Sequence, residues 1–174
     1  SAPSLEDVAI GWTLIGYAST FLIGGFNDRP TARDNAAYAF LLYQISDAAL
    51  LLAIAFGAQV GVGARPELAA AGLIIAACIK SSQWPFSGLF MRSMEGASPN
   101  SALGYAGICA HAGVVLLVAT SPVWQDFEWA RLALGTIGGI TAFFAATVGL
   151  VQNDIKKVLA YSTVSQLGYM FLAV

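Results

Sequence analysis

Long apolar segments dominate this sequence, and short polar stretches separate them. Of its 174 residues, 57% are hydrophobic and only 10% are charged, whereas roughly 25% of the residues in an ordinary soluble domain are charged. Lipid offers the backbone no hydrogen-bond partners, so a segment that crosses a bilayer must be a helix of about 20 mostly apolar residues. The sequence therefore predicts an all-α, polytopic helix bundle in a membrane and excludes a soluble globular domain.

Six candidate spans can be marked out, and together they predict a single membrane domain over residues 1–174. The spans are Val8 to Phe26, Ala36 to Val62, Leu68 to Phe90, Ser101 to Ser121, Leu132 to Asn153 and Val158 to Val174. Charged and turn-forming residues concentrate between the spans, as loops require. Because the sequence ends within the sixth span, we expect it to be a fragment of a longer chain.

The loops differ in their content of Lys and Arg, which favour the cytoplasmic side of a membrane. Loops two and four hold only Arg65 and Arg131. Loops one, three and five hold Arg29, Arg33, Arg92, Lys156 and Lys157. We therefore expect the odd loops to be cytoplasmic, and we expect an integral protein of the bacterial inner membrane.

Charge and motif content exclude several kinds of function. Eight Lys and Arg against ten Asp and Glu give a net charge of −2, and no basic run could neutralise a phosphate backbone, so nucleic-acid binding is excluded. The sequence has no Cys-x-x-Cys, no His-Glu-x-x-His and no phosphate-binding loop. One histidine and two separated cysteines, Cys78 and Cys109, make a poor metal site. We therefore expect no metal, no cofactor and no catalytic centre, and we expect both thiols to be buried as small apolar groups.

Three ionisable residues stand near the middle of three consecutive spans: Asp47, Lys80 and His111. A charge at that depth costs about 2.5 to 3.5 kcal/mol on insertion scales, and such residues usually face a bundle interior and mark ion or proton routes. Because the three residues share one depth, the sequence predicts a lateral polar layer.

Physical chemistry gives Lys80 the role of a switchable proton carrier. Desolvation disfavours an ammonium and a nearby carboxylate favours it, so a change in the distance to an acid changes how tightly the lysine holds its proton. Asp47 is the only carboxylate within the six spans. His111 is the next candidate relay, because histidine exchanges protons near neutral pH.

Polar neighbours and a proline add to this prediction. Tyr43, Gln83 and Ser87 are candidate supporting groups, and Lys80, Gln83 and Ser87 share one face of a continuous helix. Pro85 removes a helical hydrogen bond and clashes with the preceding turn. It therefore predicts a break or kink between Lys80 and Phe90, one turn beyond the lysine.

Each of these residues also has a purely structural interpretation. Asp47 could hydrogen-bond a neighbouring helix, His111 could be a packing residue, and Pro85 could produce only a packing kink.

Small and aromatic residues predict where helices pack and where the protein contacts lipid. Gly57-x3-Gly61 and Gly135-x3-Gly139 are pairs that let helices approach closely. The tryptophans are most simply lipid and interface contacts.

Two long motifs carry a family resemblance. The run Lys80-Ser81-Ser82-Gln83-Trp84-Pro85, followed by Met94 to Leu103, resembles the antiporter-like membrane subunits of respiratory complex I and of Mrp-type antiporters, and Asn153 to Met170 matches a second stretch of that family. The resemblance implies inverted five-helix repeats, each with a broken helix carrying a central lysine, and proton translocation along a hydrated polar axis. Lys80 falls on that lysine, and Asp47 falls on an aspartate that the family often places in the preceding helix.

Two positions depart from the family pattern. Thr13 follows Trp12 where the family usually has a glutamate, and Tyr105 stands where it usually has a histidine. Either Asp47 and His111 take over these roles, or this divergent branch translocates differently.

The sequence thus supports two hypotheses. The first is a proton- or cation-translocating subunit of a complex-I-type or Mrp-type assembly, whose partners are the lipid bilayer, other membrane subunits and protons or small cations. In that case the chain could be part of an NADH:quinone oxidoreductase without holding its catalytic centre. The alternative is a coupling or scaffold subunit of an inorganic-carbon uptake complex, with a vestigial polar layer.

Overall fold

The computed structural model describes residues 5–25, 29–57, 65–94, 101 and 107–174, with the side chains described from residue 7 onward. These ranges contain helices and no strand, which confirms the all-α prediction. The helices are α1 (Leu5–Ile23), α2 (Pro30–Gly57), α3 (Pro66–Lys80), α4 (Gly88–Ser93), α5 (Ala110–Ala119), α6 (Ser121–Trp124), α7 (Glu128–Leu150) and α8 (Ile155–Ala173).

The helices follow the predicted spans, with displaced ends. The second span was predicted to begin at Ala36, but α2 begins at Pro30, because proline is favoured at the first helical position and a helix extends beyond its apolar part. Within the described ranges, α2 and α7 are long and apolar enough to cross a membrane by length and composition alone. The count of six spans remains a prediction.

The third predicted span is interrupted, as the proline indicated, but the break begins earlier than expected. Helix α3 ends at Lys80 itself. Ser82 adopts a left-handed backbone conformation with φ of 50°. The amide of Ser82 donates to the carbonyl of Ile79 at 3.1 Å, and the amide of Gln83 donates to that of Cys78 at 2.8 Å. This pair of bonds is the Schellman arrangement that ends helices.

The break changes the predicted helical face. Gln83 and Ser87 lie in the irregular segment between α3 and α4, so the helical spacing that was predicted to align them with Lys80 does not apply. The segment includes a cis peptide between Trp84 and Pro85. The Trp84 amide donates to the hydroxyl of Thr141 on α7 at 2.9 Å, which ties the break to the bundle.

One close helix approach rests on a glycine outside the predicted pairs. A Cβ at Gly138 would lie 2.7 Å from the carbonyl oxygen of Gly168, so α7 and α8 meet there. By contrast, a Cβ at Gly135 would meet nothing within 4 Å, and one at Gly139 would meet only a leucine methyl group at 3.8 Å. The prediction for Gly135-x3-Gly139 was therefore wrong. The close contact is at Gly138, one residue before Gly139, and one residue turns a helix face by about 100°. Gly61 lies outside the described residues.

The prediction for the tryptophans was wrong for two of them. Trp12 and Trp124 are only 4% and 1% exposed. The indole N–H of Trp124 donates to the carbonyl of Leu117 at 3.0 Å, and buried indoles usually find such a partner. Trp84 and Trp129 are exposed, as predicted. Cys78 and Cys109 are buried free thiols, as expected.

Candidate functional site

Lys80 is the last residue of α3, and the residue is only 1% exposed. The carbonyl groups at a helix C-terminus carry partial negative charge, which favours a cation there. The sequence ends the helix at this residue through the left-handed Ser82, so the ammonium is placed beside the break.

Two neighbouring helices supply the contacts of the ammonium. The Nζ of Lys80 donates to the main-chain carbonyl of Trp12 on α1 at 2.8 Å. It stands 4.8 Å from the ring centroid of Trp12 and 4.7 Å from that of Tyr43 on α2. Aromatic faces at such distances attract a cation. The ammonium is therefore held by one carbonyl dipole and two rings.

Asp47 on α2 supplies the countercharge. Its Oδ1 lies 3.8 Å from the Nζ of Lys80, which is an ion-pair distance but too long for a hydrogen bond. The residue is 6% exposed, and Oδ1 has no hydrogen-bond partner among the described residues. The pair can therefore shorten into a direct hydrogen bond or accept a bridging water or proton without first breaking a bond at that oxygen.

Ser46 holds the helices around this pair together. The indole N–H of Trp12 donates to the hydroxyl of Ser46 at 3.2 Å, and that hydroxyl donates to the carbonyl of Ala76 on α3 at 3.0 Å. One side chain of α2 thus fixes both α1 and α3.

His111 lies on α5 and is half-buried, and its Nδ1 has no hydrogen-bond partner among the described residues. The contacts that hold the Lys80 ammonium do not include it. The two residues are linked through their chain neighbours, because the hydroxyl of Ser81 donates to the carbonyl of Ala110 at 2.6 Å. The structure therefore brings Lys80 and Asp47 together and places His111 on an adjacent, hydrogen-bonded helix.

The supporting residues fall into different environments. Gln83 is fully buried; its side-chain Nε2 donates to the carbonyl of Ser81 at 3.1 Å, while its Oε1 lacks a partner among the described residues. Ser87 is half-buried at the end of the break. The hydroxyl of Thr13 donates to the carbonyl of Ile10 on its own helix at 2.9 Å. Tyr105 lies outside the described residues.

Sequence reasoning missed two participants: the carbonyl of Trp12, which accepts from Lys80, and Gly16, where a Cβ would lie 3.0 Å from the Nζ of Lys80. A main-chain carbonyl has no sequence signature, and a helical glycine in an apolar span is usually a packing residue. Pairing Trp12 with a glycine four residues later, on the same helix face, is the signal that could have pointed to them. In the described part of the chain, no group of three His, Cys, Asp or Glu side chains could hold a metal ion.

Comparisons with known proteins agree on one family. The family model described as NADH:quinone oxidoreductase/Mrp antiporter, TM, matches residues 64–174. NADH-quinone oxidoreductase subunit L of Rhodobacter capsulatus is 37% identical over 198 residues, which cover 99% of this chain and 28% of the relative. NAD(P)H-quinone oxidoreductase chain 5 of Synechocystis sp. is 38% identical over 196 residues, with the same two coverages.

A solved structure gives the same result. A chain of the Mrp complex from Dietzia sp. DQ12-45-1b matches with a TM-score of 0.87 and 29% identity, over 97% of this chain and 20% of that chain. This chain spans about 28% of the length of the two curated relatives. The matched region of the family model contains Lys80 and the helix break. The chain therefore belongs to the NADH:quinone oxidoreductase/Mrp antiporter family of integral membrane proteins, as the two motifs predicted.

Proposed function

We propose that this chain moves protons across a membrane, with Lys80 as the carrier and Asp47 as the group that controls it. The observation that carries the proposal is the buried ammonium of Lys80, which stands 3.8 Å from a buried carboxylate at the end of a broken helix. Ionisable groups inside a membrane are costly and are usually functional. The names of the relatives favour this function over a scaffold in an inorganic-carbon uptake complex.

The transfer would proceed by changes in the pairing of Lys80. When the ammonium passes its proton to a water or a neighbouring acceptor, it becomes a neutral amine and Asp47 is left as an uncompensated buried anion. That anion favours recapture of a proton by the amine, because an opposite charge stabilises the ammonium. His111, on the helix joined to Ser81, is the proposed next acceptor. One proton leaves the amine and one returns in each cycle: an N–H bond of Lys80 breaks as an O–H or N–H bond forms on the acceptor, and the reverse transfer restores the ammonium.

The polar neighbours would assist in different ways. The Oε1 of Gln83 and the Nδ1 of His111 are buried polar atoms without partners among the described residues. Such atoms usually bind ordered water, and water at these atoms would extend the proton route away from Lys80.

The setting of this activity is part of the proposal. We infer that the whole protein works in a bilayer with other membrane subunits, in a complex-I-type or Mrp-type assembly, and that it resides in a bacterial inner membrane. Protons or small cations are the transported species. The chain supplies the broken-helix lysine of such a subunit.

Proton flux in liposomes tests the proposal. The full-length protein is reconstituted with its partner subunits, and acidification is followed with a pH-sensitive dye. Lys80→Met should abolish flux while assembly persists. Lys157→Met is the matched control, because Lys157 is exposed and its replacement removes the same charge. Equal flux in both variants would exclude Lys80 as the carrier.

The same preparations test the scaffold alternative. If Lys80→Met and Asp47→Asn lower the thermal stability of the assembly but leave flux intact, the polar pair is structural and the scaffold interpretation holds.

A further inference from the structure

Gly16 on α1 stands directly beside the Lys80 ammonium. A Cβ built at Gly16 would lie 3.0 Å from the Nζ of Lys80, which is tighter than an ordinary contact. Its next neighbours, two atoms of Tyr43, would be at 3.5 and 3.7 Å, which is ordinary van der Waals distance. Of the atoms around the missing side chain, the charged end of the lysine is therefore the nearest, and it alone is closer than an ordinary contact.

The recess also contains the hydrogen-bond acceptor of the ammonium. Residues four apart lie on the same face of a helix, and the amide of residue 16 is directed at the carbonyl of residue 12. The carbonyl of Trp12, which accepts from the Nζ of Lys80 at 2.8 Å, thus lies beside residue 16, and a Cβ at that residue would crowd the ammonium in its present position. The rings of Trp12 and Tyr43 close the sides of this recess.

We propose that Gly16 is a positioning residue, whose missing side chain lets the Lys80 ammonium rest on the carbonyl of Trp12 instead of hydrogen-bonding Asp47 directly. This inference rests on the proposed function of Lys80. The position on α1 next to Trp12 holds Thr13, whose hydroxyl donates to a carbonyl of its own helix. Helix α1 thus offers the ammonium a main-chain dipole and an aromatic face. The glycine thereby sets how far the cation stands from its acid.

The titratable groups that face the ammonium lie outside α3. They are Asp47 and Tyr43 on α2 and Cys109, the residue that immediately precedes α5. Moving the ammonium away from α1 changes its distance to each of them, so the pH dependence of flux is a direct readout of its position.

The test is Gly16→Ala in the full-length, reconstituted protein, with Gly11→Ala as the matched control. Gly11 lies on the same helix, and a Cβ there would meet nothing within 4 Å. In Gly16→Ala the Nζ of Lys80 must move by a few tenths of an ångström, so we expect this variant to weaken the hydrogen bond of the ammonium, to lower flux by up to about tenfold, which corresponds to about 1.4 kcal/mol, and to move the pH of half-maximal flux. Gly11→Ala should match the wild type in both measurements.

A second comparison separates positioning from packing. Gly16→Ala is combined with Lys80→Met, which removes the Nζ that the new methyl group would meet. We expect Gly16→Ala to lower the thermal midpoint in the wild-type background and not in the Lys80→Met background. An equal change in both backgrounds, or wild-type flux and pH profile for Gly16→Ala, would overturn the inference. Retained flux in Lys80→Met alone would instead refute the carrier role, while the stability comparison would still report the contact.

Discussion

Trp12 and Ser46 connect α1 and α2 through a buried hydrogen bond, in which the indole N–H donates to the serine hydroxyl at 3.2 Å. The same hydroxyl donates to the carbonyl of Ala76 on α3 at 3.0 Å. Helix α2, which carries Asp47, is thereby fixed to α3, which carries Lys80, and to α1, whose Trp12 carbonyl accepts from Lys80. The geometry of the charged pair depends on this small uncharged side chain.

Replacing Ser46 with alanine should therefore destabilise the protein. The variant leaves the indole N–H of Trp12 without its partner and removes the extra bond to the carbonyl of Ala76; an unsatisfied buried polar group costs about 1–3 kcal/mol. Unfolding in detergent measures the loss. Thr147→Ala is the control, because Thr147 is exposed and its hydroxyl bonds only to carbonyls of its own helix. Equal stability of the two variants would contradict the prediction.

Asp47→Asn should lower proton flux by about tenfold or more, because each lost interaction of about 1.4 kcal/mol changes an equilibrium tenfold and the variant removes the countercharge of Lys80. Asp34→Asn on the same helix is the matched control, since Asp34 is exposed. Flux in liposomes distinguishes the two. If both variants transported protons equally well, Asp47 would have no controlling role.

Gly138→Ala should destabilise the contact between α7 and α8. The added Cβ would lie 2.7 Å from the carbonyl oxygen of Gly168. Because that oxygen belongs to the backbone, the clash can be relieved only by moving a helix, at a cost of about 1–3 kcal/mol. Gly135→Ala, three residues earlier on the same helix, meets nothing within 4 Å and should not lower the thermal midpoint, because alanine favours a helix interior over glycine by about 0.5–1 kcal/mol. A similar midpoint for both variants would refute the close approach.

Ser82→Gly should stabilise the protein by about 1 kcal/mol, because the left-handed conformation costs an L-residue roughly that amount and glycine adopts it freely. The residue has φ of 50° at the end of α3. Ser82→Val should have the opposite effect, since branching at Cβ is poorly tolerated at positive φ. Thermal unfolding of the two variants checks the order, and a stability loss in the glycine variant would rule out the helix end described here.

The broad features were predictable because they follow from strong physical constraints. Only helices satisfy their backbone in lipid, and charged residues near the middle of spans must find each other. Asp47 and Lys80 are indeed neighbours, at 3.8 Å. Pro85 correctly indicated an interruption, because it cannot donate a helical hydrogen bond.

The details of the site depend on contacts that carry little sequence signal. The helix ends at Lys80 because Ser82 takes a conformation usually assigned to glycine, so the pattern gave no reason to end it there. The acceptor of Lys80 is a main-chain atom of Trp12, and the space for it is the missing side chain of Gly16. Both follow from how α1 and α3 are placed against each other, which a single sequence does not encode locally.

In the described part of the chain, Asp47 and Lys80 are the charged residues among the buried ones, and their formal charges cancel. The pair is therefore buried in the membrane without net charge. Replacing either Asp47 or Lys80 alone leaves an uncompensated buried ion, at a cost of about 3–5 kcal/mol. Loss of both, with apolar replacements of similar volume, is far less costly. Homologous proteins that lack one of these two charged residues should accordingly lack the other, and positions 47 and 80 should vary jointly through evolution.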